Sequence, residues 1–211
     1  MNPFVGLTYG QSIARLGELY GERNALTFHQ RKWTFRDIKG EVDRAAARLP
    51  SLGVQREDKI AIWMPNRPEA IWYWLGAAQM GCVAVFLNTR LTQDEIAYQV
   101  MQSDSRVLLL QGHDGHRDYL KDIAALCSEM AANPPGAWRS AAFPELRHVV
   151  SFDRPDAAVK GAIDWSQPAP ADLPVPAPET DPNAAALIVY SSGTTALPKG
   201  VVLPHHVWRK A

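Results

Sequence analysis

One stretch of the sequence combines the residue types that bind a phosphate chain. It reads Ser-Ser-Gly-Thr-Thr-Ala-Leu-Pro-Lys-Gly over residues 191–200, so four hydroxyls and a glycine precede a lysine. Hydroxyl and backbone donors with one cation suit a phosphate chain, and a glycine without a Cβ lets the backbone approach it closely. A solvated turn is the alternative for such a cluster. Its place between two apolar segments, residues 184–190 and 201–203, favours a phosphate-binding loop.

This loop differs from the two common nucleotide-binding motifs. The Walker A spacing G-x-x-x-x-G-K-[ST] is absent, since Pro198 directly precedes Lys199. No G-x-G-x-x-G occurs in the chain, so the dinucleotide-binding fingerprint is missing too. The sequence therefore indicates a phosphate site of another kind.

Helical and strand patterns alternate along the chain. The periodicity predicts helices over residues 12–20, 36–52, 66–80, 92–102 and 117–130. It predicts strands over residues 25–28, 33–35, 59–64, 82–87, 106–110, 146–152, 184–190 and 201–203. This alternation is typical of an α/β fold with a mostly parallel sheet, helices on both of its faces and, here, an N-terminal hairpin.

Three local features of this pattern are testable. Asn66 is expected to cap the third helix, with Pro68 in its first turn, and Thr92 with Glu95 has the spacing of a capping box. Residues 70–89 carry no charge and approach the length of a membrane span. The change from helical to strand pattern after Gly81 instead predicts a buried helix and a buried strand, with no transmembrane segment.

The segment Tyr190-Ser-Ser-Gly-Thr-Thr-Ala-Leu-Pro-Lys-Gly-Val201 closely resembles the phosphate-loop signature of the adenylate-forming superfamily. That superfamily contains acyl- and aryl-CoA ligases, peptide-synthetase adenylation domains and beetle luciferases. Asp58-Lys-Ile-Ala-Ile62, Gly81-Cys-Val-Ala-Val-Phe-Leu-Asn88 and Leu203-Pro-His205 are similar to other blocks of these ligases. The resemblance implies the incomplete N-terminal portion of the ligase fold, without the later nucleotide-binding blocks or the small C-terminal domain.

The resemblance also implies a reaction, in which a carboxylic acid attacks the α-phosphate of ATP and CoA then displaces AMP. The β- and γ-phosphates of ATP would be held by Ser191, Ser192, Gly193, Thr194, Thr195 and Lys199. A hydroxyl of Thr194 or Thr195 would help to place Mg²⁺, and His205 would lie on the acyl side of the site. Alanine stands at residue 196 where the family has glycine, which costs on the order of 1 kcal/mol if that position needs a positive φ.

Proline content suggests how the chain is divided. Ten of its 16 prolines lie between Pro134 and Pro182, and residues 166–182 should form an extended connector. We expect a partial AMP-binding domain over residues 1–211, with an αβ subdomain over 1–165 and the strand and phosphate loop over 183–211. The connector is either a domain linker or a surface crossover within one fold.

Composition narrows the classes of protein and of partner. The 22 basic and 22 acidic residues cancel, which argues against nucleic-acid binding. Cys82 and Cys127 form no disulfide framework, and no signal peptide begins the chain, so a cytoplasmic location is expected. The run from His113 to Asp118 is interpreted as a polar loop rather than a metal site, and Trp63, Trp72 and Trp74 as core residues.

Two alternatives to an adenylating fragment stay open. The chain could be a non-catalytic truncated remnant, or half of a split protein, with a structural or interaction role. It could also be a small phosphate-binding module unrelated to adenylation. In the first case we expect it to associate with a missing C-terminal portion or with itself, because its apolar strands need cover on both faces.

Overall fold

The computed structural model describes residues 3–153, 159–191 and 197–207. Its helices are α1 (Tyr9–Tyr20), α2 (Phe35–Arg48), α3 (Pro68–Gln79), α4 (Gln93–Gln102), α5 (Tyr119–Leu126) and α6 (Ser128–Ala132). Its strands are β1 (Asn24–Phe28), β2 (Arg31–Thr34), β3 (Lys59–Trp63), β4 (Val83–Phe86), β5 (Ser105–Leu110), β6 (His148–Ser151), β7 (Ala162–Asp164), β8 (Ala185–Ser191) and β9 (Lys199–Pro204). A 3₁₀ turn over Leu49–Leu52 extends α2.

The predicted α/β architecture is confirmed. Seven strands form one sheet in the order β7-β6-β5-β3-β4-β8-β9, in which every pair is parallel except β8 with β9. The first two strands form the predicted N-terminal hairpin. Because β4 and β5 lie on opposite sides of β3, the chain reverses its winding direction at the centre of the sheet.

Side chains alternate between two apolar layers, one on each face of the sheet. In β3, Ile60 and Ile62 join the layer formed with α2 and α3, whereas Ala61 and Trp63 join the layer formed with α4 and α5. A strand whose successive side chains are all buried is typical of a parallel sheet covered on both faces. Trp63 and Trp72 are buried in these layers, as predicted, whereas Trp74 is only partly buried against the layer of α2 and α3 and lines a cleft.

The element boundaries differ from prediction at three places. Asn66 does not cap α3: the cap is Arg67, which is extended (φ −144°, ψ 154°) because it precedes Pro68. The predicted helix over 117–130 is broken at Cys127, where φ is −134° and ψ is 75°. The three-residue β7 was not predicted, since it is too short to show a period. The capping box of Thr92 and Glu95 is confirmed.

The segment over residues 166–182 joins β7, at one edge of the sheet, to β8 near the other. Arg48 donates to the Gln167 carbonyl at 2.8 Å near its start, and the Glu179 N–H donates to the Gln79 carbonyl at 2.7 Å near its end. The Thr8 hydroxyl donates to the Glu179 carbonyl at 2.8 Å. The segment is thus fastened to α2 and α3, and the strand that follows it belongs to the same sheet as β3.

Among the described residues, no helix has the length and apolar character needed to cross a membrane.

The hairpin of β8 and β9 carries the most exposed apolar side chains of the sheet. Val189 is 41% exposed, Val201 46% and Val202 57%, and Leu197 beside them is 64% exposed. Within the described residues, β9 has no neighbouring strand on its outer side. Unpaired backbone groups beside apolar side chains form a surface that pairs readily with another chain.

We therefore expect the 211-residue chain to self-associate through β9. A Val202→Lys replacement should weaken this association about tenfold, because one buried valine contributes roughly 1.5 kcal/mol. Val5, which is 69% exposed and lies outside the sheet, provides the matched control Val5→Lys. Light scattering on a sizing column measures the effect. A monomeric wild-type chain, or equal effects of the two replacements, would contradict the prediction.

Candidate functional site

The two ends of the predicted phosphate loop meet in the structure. Strand β8 ends at Ser191 and β9 begins at Lys199, and these two residues are partners in the antiparallel ladder. Ser192, Gly193, Thr194, Thr195 and Ala196 lie outside the described residues, so their predicted roles stay predictions. The structure thus brings together the first hydroxyl and the lysine of the motif at the mouth of one hairpin.

This mouth opens at the carboxyl edge of the parallel sheet. A cleft of about 1000 Å³ extends from Ser191 and Pro198 across the residues that follow β3 and β4, among them Pro65 and Asn88. Ligands of open α/β sheets bind outside the carboxyl ends of the strands, where the winding direction reverses. Here that reversal occurs between β3 and β5, and the cleft reaches the residues that follow β3, whereas the hairpin lies on the far side of β4.

The charge at the mouth suits an anion. The Lys199 side chain is exposed, and it forms no ion pair with any carboxylate in the described parts of the chain. Glu95 lines the same cleft, but its carboxylate accepts the N–H of Thr92 at 2.8 Å and the hydroxyl of Thr92 at 3.0 Å. These two bonds hold the pKa of Glu95 below its usual value. Glu95 is therefore engaged in capping α4 and does not neutralise the lysine.

Helix α4 contacts both arms of the hairpin. The Tyr98 hydroxyl donates to the Pro198 carbonyl at 3.2 Å. The Tyr190 hydroxyl lies 3.2 Å from the Gln99 carbonyl and bonds to the Gln102 side chain. Sequence reasoning missed these contacts, which join residues 88 to 100 positions apart and leave no local period.

His205 lies at the other end of the hairpin. Pro204 pairs with Ala185 at the start of β8, and the next N–H, that of His205, donates to the Ala184 carbonyl at 3.1 Å. The His205 ring is fully buried, and its Nδ1 accepts the backbone N–H of Tyr9 at 3.2 Å. The structure thus separates His205 from Lys199 by the length of β9, and its assignment to the acyl side of the site stays a prediction.

Burial lowers the pKa of His205 to about 4, although Glu179 and Asp181 act in the opposite direction. The ring is therefore neutral at pH 7, and because Nδ1 accepts a hydrogen bond, Nε2 carries the proton. His205 in this state fastens the start of α1 to the end of β9.

A second cleft of about 1060 Å³ lies beyond β5, β6 and β7. Two of its arginines have close acidic partners, since Arg67 pairs with Glu69 at 3.0 Å and Arg44 pairs with Glu41 at 2.9 Å. Arg48 instead donates to the Gln167 carbonyl at 2.8 Å. In the nearby polar loop, the Tyr119 hydroxyl donates to Asp114 at 2.6 Å and helps to lower the pKa of that carboxyl to about 2. Several charges of this cleft are thus paired with one another.

The chain matches known proteins over most of its length. The profile of the family described as AMP-binding enzyme matches residues 14–209. The mitochondrial medium-chain acyl-CoA ligase ACSF2 of Rattus norvegicus is 28% identical to this chain. The alignment covers 96% of this chain and 34% of the length of the rat protein. A crotonobetaine/carnitine–CoA ligase of Escherichia coli is 29% identical to this chain, in an alignment that covers 93% of this chain and 36% of the length of the ligase. The chain thus spans about a third of the length of these curated relatives.

Solved structures show the same fold. The N-terminal domain of FACL13 from Mycobacterium tuberculosis, bound to an inhibitor, superposes with a TM-score of 0.70 at 26% identity. The match covers 95% of this chain and 45% of that domain's chain. The anthranilate–CoA ligase AuaEII in complex with anthranoyl-AMP superposes with a TM-score of 0.75 at 23% identity. This match covers 94% of this chain and 35% of the AuaEII chain.

The buried state of His205 predicts a pH dependence of stability. Between its ordinary pKa of 6.5 and its native pKa of about 4, the unfolded chain binds a proton at His205 that the native chain does not. The free energy of unfolding therefore falls as the pH is lowered through this window, by on the order of 2 to 3 kcal/mol from this residue.

Replacement by glutamine tests this assignment. His205→Gln should cost stability at pH 7, because an amide does not reproduce the packing of the imidazole ring against the Tyr9 ring, and the cost should shrink as the pH approaches 4. Urea unfolding at several pH values measures it, with His206→Gln as control for loss of a ring at the same corner. If the stability difference between wild type and His205→Gln does not change with pH, then His205 has the same pKa in the native and in the unfolded chain, which would contradict the assignment.

Proposed function

The chain belongs to the family of AMP-binding enzymes, and from this membership we propose that it is the phosphate-binding N-terminal part of an ATP-dependent carboxylic acid–CoA ligase. Its fold is that of the N-terminal portion of adenylate-forming ligases. The substrates of the whole enzyme are then a carboxylic acid, ATP and CoA. The relatives named above are CoA ligases for several acids, so the identity of the acid is not part of the proposal.

The observation that carries the proposal is the pairing of Ser191 with Lys199 at the carboxyl edge of the sheet. The exposed ammonium group of Lys199, which forms no ion pair with a carboxylate of the described residues, can offset the charge of a polyanion. The residues proposed to hold the β- and γ-phosphates of ATP are Ser191, Ser192, Gly193, Thr194, Thr195 and Lys199.

In this proposal the residues act by positioning and by charge. When the carboxylic acid attacks the α-phosphate, negative charge grows on the departing pyrophosphate, and Lys199 stabilises that charge. The hydroxyl of Ser191 contributes a neutral donor beside it. The segment needs no general base and no covalent nucleophile, because a carboxylate is itself the attacking group.

Mg²⁺ is expected with ATP, and it would neutralise charge on the phosphate oxygens. The described residues contain no cluster of three acidic, histidine or cysteine side chains that could hold a metal by themselves. The donor set of the motif is instead neutral hydroxyls, which suits a cation brought in by the phosphates. We assign this contact to Thr194 or Thr195 on the sequence resemblance.

The chain alone is proposed not to complete the reaction. It spans about a third of its curated relatives, and the phosphate loop fixes only one end of ATP. Orienting the α-phosphate against the carboxylate supplies roughly 7–11 kcal/mol of such a barrier, and needs groups that hold the other end. The exposed Val201 and Val202 favour cover by a further portion of the enzyme, or by a second chain in a non-catalytic role. A cytoplasmic location, which the free thiols Cys82 and Cys127 support, is part of the same proposal.

Removal of the lysine tests the proposed function. Lys199→Ala should weaken binding of Mg·ATP and of inorganic triphosphate by about 10- to 100-fold, because a charge-assisted hydrogen bond contributes roughly 1.5–3 kcal/mol. Lys199→Arg should retain part of the affinity. Isothermal titration calorimetry measures both. Lys160→Ala, which removes an exposed lysine next to β7 at the opposite edge of the sheet, is the matched control.

Two outcomes contradict the proposal. Unchanged triphosphate affinity in Lys199→Ala would remove this lysine from the site. Acid-dependent exchange of pyrophosphate into ATP by the 211-residue chain would show that it completes adenylation without further residues.

A further inference from the structure

We propose that helix α4 positions Lys199 for the phosphate chain through two tyrosine hydroxyls, with Tyr98 as the main positioning residue and Tyr190 as the second. The inference rests on the proposed function, because it assigns to α4 the task of presenting the phosphate-binding lysine. Neither tyrosine is proposed to touch the ligand. Each acts on the backbone that immediately flanks Lys199.

The first contact fixes the peptide that precedes the lysine. Tyr98 is half-buried on α4, and its hydroxyl donates to the Pro198 carbonyl at 3.2 Å. That carbonyl belongs to the peptide plane whose nitrogen is the backbone N of Lys199. Since proline already restricts its own φ, the hydrogen bond fixes the remaining rotation of the plane. The direction of the backbone as it enters Lys199 is thereby fixed by α4, which lies outside the hairpin.

The second contact fixes the residue that follows. Tyr190 faces Gly200 across the hairpin, and its hydroxyl bonds to Gln102 on α4. A Cβ added at Gly200 would lie 3.4 Å from both the Gln102 Oε1 and the Tyr190 ring, and 3.2 Å from Ile188. Gly200 is thus in close contact with its neighbours, so the chain on this side of Lys199 has little room to move.

The helix that makes these contacts is itself firmly held. Its first turn is closed by the reciprocal bonds of Thr92 and Glu95, and Ile96 and Val100 are buried against the sheet. A lysine has a flexible side chain and loses conformational entropy when it binds an anion. Holding its backbone in advance lowers that loss, which is how a positioning contact raises affinity without touching the ligand.

Loss of the Tyr98 hydroxyl separates this role from general stability. Tyr98→Phe should weaken binding of inorganic triphosphate and Mg·ATP by about three- to tenfold, the equivalent of one hydrogen bond. It should leave the far-ultraviolet circular dichroism spectrum unaltered, because α4 is held by other contacts as well. Tyr119→Phe removes a comparable hydroxyl, which donates to Asp114 at 2.6 Å, and should change neither affinity.

A double-mutant cycle provides the decisive readout. If Tyr98 acts through Lys199, then Tyr98→Phe should have no effect on triphosphate affinity in a Lys199→Ala background. Additive effects would overturn the inference, as would unchanged triphosphate affinity in Tyr98→Phe, or equal weakening of triphosphate binding by Tyr98→Phe and Tyr119→Phe. Should that variant fail to fold, Tyr190→Phe is tested in the same cycle with the same expectation. An ineffective Lys199→Ala contradicts the proposed function itself, whereas an effective Lys199→Ala with an ineffective Tyr98→Phe contradicts only the positioning role.

Discussion

The parallel pairing of β4 with β8 is the interaction on which the site depends. Its register, in which Ala84 faces Leu187 and Phe86 faces Val189, places the end of β8 at the same edge of the sheet as the ends of β3 and β4. About a hundred residues separate these strands in sequence. A parallel ladder between them requires the chain to return across the sheet, and residues 166–182 make that return while fastened to α2 and α3.

Once β8 is in place, the chemistry of the hairpin follows from its geometry. The antiparallel return along β9 brings Lys199 opposite Ser191, so a cation and a hydroxyl meet at the carboxyl edge. The same strand carries the chain to His205 at the far edge, where a buried neutral ring binds the start of α1. One strand therefore links the ligand-facing end of the sheet to its structural anchor. Contacts from α4 support the ligand-facing end of the hairpin, and the contact of His205 with the start of α1 supports its other end.

The sequence was sufficient to predict what depends on local pattern. Strongly apolar strands such as β3 and β5 and the capping box at Thr92 follow from residues that are close in the chain. The pairing of Ser191 with Lys199 was not predicted, because both residues were assigned to the loop between the two strands. The cap of α3 was wrong because the residue before Pro68 is forced to be extended, which moved the cap from Asn66 to Arg67. The contact of Tyr98 with Pro198 was beyond prediction, since a single hydroxyl bond across 100 residues has no periodic signal. The motif was enough to indicate the family, whereas the proposed positioning role of α4 could be recognised only from the three-dimensional structure.

The central claim is that Lys199 is the residue that meets the phosphate chain of ATP. An ATP analogue that carries a pyridoxal aldehyde in place of the terminal phosphate forms an imine with the nearest lysine, and borohydride reduction makes the bond permanent. Peptide mass spectrometry then identifies the labelled residue among the seven lysines of the chain. The account predicts labelling at Lys199 that is suppressed by excess Mg·ATP. Labelling spread over Lys32, Lys59 and Lys121, or labelling at Lys199 that ATP does not suppress, would contradict it.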